Sequence, residues 1–216
     1  MNTQSRYIVF DGVDGSGKGT QIDLLKKVFD AHHVIFTREP GGPPLAEEIR
    51  KIILDSPFAV DSTDLFQFFG FWMAREESLH KLVMPALQSG KHVFSDRGDS
   101  STFAFQLPIG EQRQEMLDAF ALMRKLVFAK ERGRRPPDQY IIFDLPAETA
   151  RERALQDATR AKNHLDGRDL AHYERVRDGF RQFERRAPVE FIDATQTPEK
   201  IHREVLEVLD TLDVVP

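Results

Sequence analysis

A chain of 216 residues with 30 basic and 35 acidic side chains carries a formal charge of −5; the length suits one well-buried core, and the acidic balance argues against a protein that coats nucleic acid. The absence of cysteine excludes disulfides, thiolate-held zinc and thiol nucleophiles, and the seven histidines form no metal-binding motif. Met1–Arg6 is polar with no signal-peptide pattern, and no apolar run approaches the ~18 residues of a membrane span, so a cytoplasmic protein without a membrane partner is expected.

The first predicted element is a strand, Tyr7–Phe10. It runs into Asp11-Gly12-Val13-Asp14-Gly15-Ser16-Gly17-Lys18-Gly19-Thr20. Glycines here let backbone N–H groups approach phosphate oxygens, and Lys18 supplies a mobile charge for the outer phosphates. The next residues, Gln21–Phe29, read as an amphipathic helix, whose N-terminus adds its positive dipole end. Gly19 follows the lysine where a hydroxyl is usual, with Thr20 one place later. That Gly-Lys-Gly-Thr-Gln run resembles the phosphate loop of adenylate kinases, where a magnesium ion is held largely through water.

A second strand, Val34–Thr37, ends in Thr37-Arg38-Glu39-Pro40-Gly41-Gly42, where proline and glycine turn the chain. Arg38 can fork onto a phosphate there, or sit in a surface ion pair beside the turn. The stretch Leu65–Arg75 is dense in aromatic residues, most of them core. Phe71 and Arg75 are four apart and share a helix face, able together to stack on a base and bond its carbonyl. A third strand, His92–Ser95, ends in Asp96-Arg97-Gly98-Asp99-Ser100-Ser101. Asp96 can orient Arg97 or a magnesium-held water, Arg97 can contact a phosphoryl group, or the two can form a buried structural pair. Phe105 and Gln106 follow as an opposite wall.

Arg132–Asp138 reads as a solvated charged loop feeding a fourth strand, Tyr140–Leu145. Arg151–Asp169 is polar and weakly apolar, either a lid that closes over a ligand or an ordinary solvated hairpin. The last strand is Val189–Ile192. Strands alternating with helices predict an α/β fold: one five-stranded parallel sheet with helices on both faces. Ligands of such sheets gather at the carboxyl ends of the strands, here Asp11–Lys18, Arg38–Gly42, Asp96–Ser101, Pro146–Glu148 and Asp193–Gln196.

Taken in order, these segments resemble the thymidylate kinase family over nearly the whole chain. The resemblance rests on the phosphate loop, Thr37–Gly42, Phe71-x3-Arg75 followed by Pro85-Ala86-Leu87, Asp96-Arg97 with Ser101-Thr102-x-Ala104-Phe105-Gln106, Pro137-Asp138, Tyr173-x-Arg175-Val176-Arg177 and Ile192–Thr195. It implies a P-loop nucleoside monophosphate kinase fold in one domain, residues 1–216, with a mobile lid at about 151–169. It implies transfer of the γ-phosphoryl group of ATP to dTMP with Mg²⁺, in a homodimer that binds no nucleic acid.

By position, the resemblance assigns the donor phosphates to Gly12, Val13, Asp14, Gly15, Ser16, Gly17, Lys18, Gly19 and Thr20, with Arg153 on the donor side. Asp14 lies near the acceptor 3′-hydroxyl and phosphate, and Arg38 and Arg97 grip that phosphate. Phe71 stacks on the pyrimidine, Arg75 reads its O4, and Ser101, Phe105 and Gln106 flank the base and sugar. Mg²⁺ is held mainly through water near Asp96 and Thr20. Ser16, in a loop with no basic residue before Lys18, implies catalytic arginines in the lid, with Arg160 and Arg168 as candidates. The chain departs from the family at Gly98 and Phe105, where Tyr or His and Tyr are usual, and at Asp166-Gly167-Arg168. Gly98 implies an open wall in the acceptor pocket. The rival expectations are a kinase for dUMP or a 5-modified dUMP, and a nucleotide-binding protein without turnover.

Overall fold

The computed structural model describes residues 4–107, 113–156 and 169–216. Its centre is a five-stranded, all-parallel sheet built from β1 (Tyr7–Gly12), β2 (Val34–Arg38), β3 (His92–Asp96), β4 (Gln139–Asp144) and β5 (Val189–Asp193). The spatial order is β2-β3-β1-β4-β5. β1 is buried along its whole length, as its run Tyr-Ile-Val-Phe requires for a strand covered on both faces. The edge strands β2 and β5 are only partly buried. Each of the five expected strands is present, with ends that differ by one or two residues from the apolar runs.

The chain leaves β1 toward one edge of the sheet and later returns to β4 on its other side. A crevice therefore opens at the carboxyl end of β1. The helices are α1 (Lys18–Val28), α2 (Pro44–Arg50), α3 (Asp64–Ser78), α4 (Met84–Gln88), α5 (Asp99–Gln106), α6 (Arg113–Val127), α7 (Ala147–Gln156), α8 (Leu170–Phe183) and α9 (Pro198–Thr211). Thr63, Asp169 and Thr197 cap α3, α8 and α9 with side-chain oxygens that accept from backbone N–H groups inside each first turn.

Rings meeting edge to face fill the space between sheet and helices. Phe94 has Phe10, Phe29 and Phe36 at 5.3, 5.2 and 5.4 Å, and Trp72 of α3 meets Phe120 of α6 at 5.5 Å. The expected solvated loop at Arg132–Asp138 is instead tied down. Arg134 pairs with Glu76, Arg135 pairs with Asp138 at 2.5 Å, and Asp138 accepts from the Tyr7 amide at 2.7 Å. Those contacts bring partners from α3 and β1 that are distant in the sequence, so the charge run alone did not announce them. The core of the expected lid, including Arg160, Asp166, Gly167 and Arg168, lies outside the described residues.

Candidate active site

The crevice beside β1 is a cavity of about 470 Å³ lined from Val13 to Thr20, by Glu39, Pro40 and Arg50, by Phe71 and Arg75, and by Asp96 through Gly98. Ser101, Phe105, Gln106 and His172 complete the opposite wall, with Leu54 and Gln67 beside Phe71. Three strand ends and the first turns of α1 and α5 thus converge on one space.

The loop from Gly12 to Lys18 is shaped by its glycines. Gly15 has φ +81°, and a β-carbon there would stand 2.1 Å from the carbonyl oxygen of Ala150 on α7. Both the left-handed backbone and the close approach of α7 exclude a larger residue. Gly15→Ala is expected to displace the loop and cut turnover by at least about 100-fold. Steady-state kinetics with a circular dichroism check of folding would test this, and near-normal turnover would refute the fit.

Lys18 reaches across the cavity and pairs with Asp96. Burial works to raise the Asp96 carboxyl, but Lys18, Arg97 and Arg50 outweigh it and hold the group below its ordinary value, so it is ionised. Asp96 therefore faces Lys18, and the guanidinium of Arg97 turns elsewhere. Arg97 donates to Asp14 at 2.5 Å, to Ser101 Oγ at 3.0 Å, and to Asp11 and the Gly12 carbonyl at 3.4 Å. It lies 5.3 Å over the Phe105 ring. Its backbone is left-handed, φ +71°, a strained state for a residue with a side chain and one that clusters at functional sites. Burial lowers its guanidinium, and the carboxylates of Asp14, Asp11 and Asp96 more than reverse this.

The fully buried Asp11 fixes the start of α5. It accepts from Ser100 Oγ at 2.6 Å and Ser101 Oγ at 2.8 Å. Burial raises this carboxyl above its ordinary value against the pull of Arg97.

On the far wall, Arg75 is fully enclosed. Its Nε donates to Glu39 Oε2 at 2.7 Å and its Nη2 to Thr102 Oγ1 at 3.1 Å. Nη1 is buried and has no partner. A buried guanidinium nitrogen left without an acceptor is costly. Tyr7 donates to the other oxygen of Glu39 at 3.2 Å, and burial keeps the Glu39 carboxyl above its ordinary value against the pull of Arg75. Phe71, packed in a small cluster with Ile49, Ile53 and Leu54, supplies the adjoining flat face.

Of the residues expected at the site, Val13–Thr20 of the phosphate loop, Phe71, Arg75, Asp96, Arg97, Ser101, Phe105 and Gln106 line the cavity, and Gly12 stands behind it at the end of β1. Arg38 and Arg153 do not. Arg38 is held by Glu47 of α2, through Nη2 at 2.8 Å and Nε at 3.3 Å, and Arg153 donates to the Ala194 carbonyl at 2.8 Å. The cation found in the cavity beside Lys18 and Arg97 is Arg50, which sequence reasoning missed. It sits at the end of α2 and donates to the Pro40 carbonyl at 3.0 Å. Glu39 and His172 were missed as well. Gly98 lines the cavity, and a β-carbon on it would press on both Val9 methyls at 3.0 Å, so the packing beneath it favours glycine.

The family model described as thymidylate kinase matches residues 10–205. Relatives named thymidylate kinase include those of Cupriavidus necator, 33% identical over 97% of this chain and all of that one, and of Chlorobaculum parvum, 35% identical over 96% of each. That of Staphylococcus haemolyticus is 34% identical over 95% of this chain and 97% of its own. The crystal structure of thymidylate kinase from Ehrlichia chaffeensis superposes with a TM-score of 0.71 at 28% identity, covering 95% of this chain and 98% of that one.

Proposed function

The chain belongs to the thymidylate kinase family and transfers the γ-phosphoryl group of ATP to dTMP, a step toward dTTP, and we propose that it does so with the residues of this cavity in the following roles. Phe71 stacks on the thymine, and Arg75 donates to its O4. The observation that carries the base assignment is that Phe71 and Arg75, one helical turn apart on α3, both line the cavity. Glu39 and Thr102 take two of the five guanidinium N–H groups, which leaves Arg75 with a need for a further acceptor. A ring carbonyl satisfies it, and the amino group of cytosine does not.

Ser101 and Gln106 flank the base edge, and Phe105 stands against the sugar. Arg97 and Arg50 neutralise the dTMP phosphate, and Asp14 lies beside it. Arg38 joins them only by exchanging Glu47 for the phosphate. On the donor side, the amides of Gly12–Thr20 and the Lys18 ammonium hold the ATP phosphates. To do so Lys18 gives up Asp96, trading one anion for another. An oxygen of the dTMP phosphate then attacks the γ-phosphorus as the bond to the β–γ bridging oxygen breaks, and ADP leaves with that electron pair. The protein's part is positioning and charge neutralisation.

Among the described residues no group of three or more acidic or histidine side chains could cage a cation. A Mg²⁺ ion therefore fits this site as one held by phosphates and water, with the ionised Asp96 and the Thr20 hydroxyl alongside. When bound, it neutralises charge on the phosphates. A lid closing from residues 151–169 and carrying Arg160 or Arg168 belongs to the same proposal, as does Arg153 on the donor-nucleotide side. The reading puts the reaction in the cytoplasm.

ADP release from ATP and Mg²⁺, measured with dTMP, dUMP, 5-substituted dUMP analogues, ribo-TMP, dCMP, dGMP and AMP in turn, tests it. Strong preference for dTMP over dCMP is expected. Equal turnover of dCMP would overturn the role of Arg75, and equal use of ribo-TMP that of Phe105.

A homodimer is part of the proposal. Leu65, Phe66, Phe69 and Met73 form an exposed apolar stripe on α3, and α6, which packs against α3, exposes Leu122 and Leu126. Sedimentation is expected to give a dimer, shifted to monomer by Phe69→Glu. A monomer at every concentration would refute it.

A further inference from the structure

Beneath the first turn of α5 lies a buried charged cluster that has no place in the transfer step itself. Asp99, with no exposed side-chain surface, accepts from the Tyr140 hydroxyl at 2.5 Å and stands 2.6 Å from Arg124 Nε. The Arg124 contact lies off the N–H axis, so it is an ion pair rather than a linear hydrogen bond. Arg124 reaches in from α6, donates to the Arg186 carbonyl at 2.9 Å and to the Tyr140 hydroxyl at 3.3 Å, and lies over the Phe183 ring at 5.5 Å. Burial and the neighbouring Asp99 charge push the Tyr140 hydroxyl well above its ordinary value, so it remains protonated and donating.

An ion pair in such a place is weak as a source of stability, because apolar side chains of similar volume fill the same space at less desolvation cost. What it offers is direction. The two residues after Asp99 are Ser100 and Ser101, whose hydroxyls donate to Asp11, and Ser101 accepts from Arg97. The first turn of α5 is therefore clamped from two sides: to α6 and β4 through Asp99, and to the end of β1 through the serines. Ser101, Phe105 and Gln106 on the cavity wall all ride on this short helix.

We infer that Arg124 and Tyr140, acting through Asp99, are positioning residues for the acceptor nucleotide, fixing the turn that carries Ser101 and supports Arg97. The inference rests on the reading of this cavity as the dTMP site. Neither residue lines the cavity, and the helix they clamp carries Ser101, Phe105 and Gln106 of the proposed acceptor wall. Their removal therefore acts first on the acceptor.

The test compares wild type, Arg124→Met, Tyr140→Phe and the double variant Asp99→Asn with Arg124→Met, reading KM for dTMP, KM for ATP and thermal stability. Arg124→Met strands the Asp99 carboxylate beside one remaining donor. KM for dTMP is expected to rise about tenfold with KM for ATP within about twofold. The double variant, with no charge left to strand, is expected to recover most of that loss, and Tyr140→Phe to raise KM for dTMP by about threefold. A lower melting temperature with unchanged KM for dTMP would overturn the inference and leave the cluster a structural one. If Arg124→Met does not fold, Tyr140→Phe decides by the same comparison of the two KM values. Failure of the wild type to phosphorylate dTMP would overturn the acceptor reading itself, a result separable from the variants' behaviour.

Discussion

Lys18→Ala is expected to lower turnover by about 10³-fold while leaving the fold in place. Lys18 is the one lysine lining the cavity among the described residues, and it stands at the first position of α1, where the loop amides and the helix dipole already converge. In the proposed reaction, loss of its ammonium removes a charge that follows the γ-phosphoryl group, whereas the amides remain. ATP binding is therefore expected to weaken less than turnover falls. The cost in stability is small. Lys18 pairs with Asp96, whose side chain is about a third exposed, so solvent shares the work and a loss near 1 kcal/mol is the ceiling.

The same pair sets a pH signature. The folded Asp96 carboxyl lies below its ordinary value of 3.8, so its contribution to stability is present above that pH. That contribution is lost as pH falls through the folded value. In Lys18→Ala the downward pull on Asp96 is weaker, and the stability difference between the two proteins is expected to narrow in acid. Turnover, chemical denaturation at pH 7 and pH 3, and circular dichroism check all three statements. Turnover within tenfold of wild type would remove Lys18 from the reaction.

The sequence was most readable where one residue type does a job by its backbone or its spacing. The phosphate loop could be read because glycine and lysine at those intervals have few other uses, and all of Val13–Thr20 line the cavity. Phe71 and Arg75 could be read because helix periodicity puts them on one face. The strand ends followed from apolar runs, and the rule for parallel sheets then pointed to the crevice.

Partners were the part that could not be read. Arg38 and Arg50 look alike as isolated arginines near the same turn. Only the path of α2 decides that Glu47 captures the first and that the second enters the cavity. Glu39 adjoins Arg38 in sequence, yet the guanidinium it holds, that of Arg75, is 36 residues away. Asp96 and Arg97, adjacent in sequence, were natural candidates for one another, but successive residues at a strand end point to different sides. Lys18 takes one and Asp14 the other. Charge pairing across a fold depends on which elements meet, and local pattern carries no record of that.

Arg97→Met is expected to damage both stability and turnover, and this joint loss distinguishes it from Lys18→Ala. Arg97 is three-quarters buried, and it touches Asp14, Asp11, Ser101 and the Gly12 carbonyl at once. Methionine keeps the stem over Phe105 but withdraws the charge. Asp11, which has no exposed surface, then keeps only the Gly12 amide and the hydroxyls of Ser100 and Ser101. Breaking a buried pair from one side costs about 3–5 kcal/mol, and the surviving donors put this case at the lower end, about 3 kcal/mol. Turnover is expected to fall by about 10³-fold, because the cation paired with Asp14 and proposed to hold the acceptor phosphate is gone.

Arg97→Lys separates the two effects. It restores a charge near Asp11 and so much of the stability. It cannot fork between Asp14 and Ser101, so turnover stays low. Urea unfolding together with steady-state kinetics on both variants provides the check. If Arg97→Met unfolds at the wild-type urea concentration, the carboxylates of Asp11 and Asp14 do not depend on it. If Arg97→Lys turns over like wild type, the planar geometry of the guanidinium has no part in holding the acceptor phosphate.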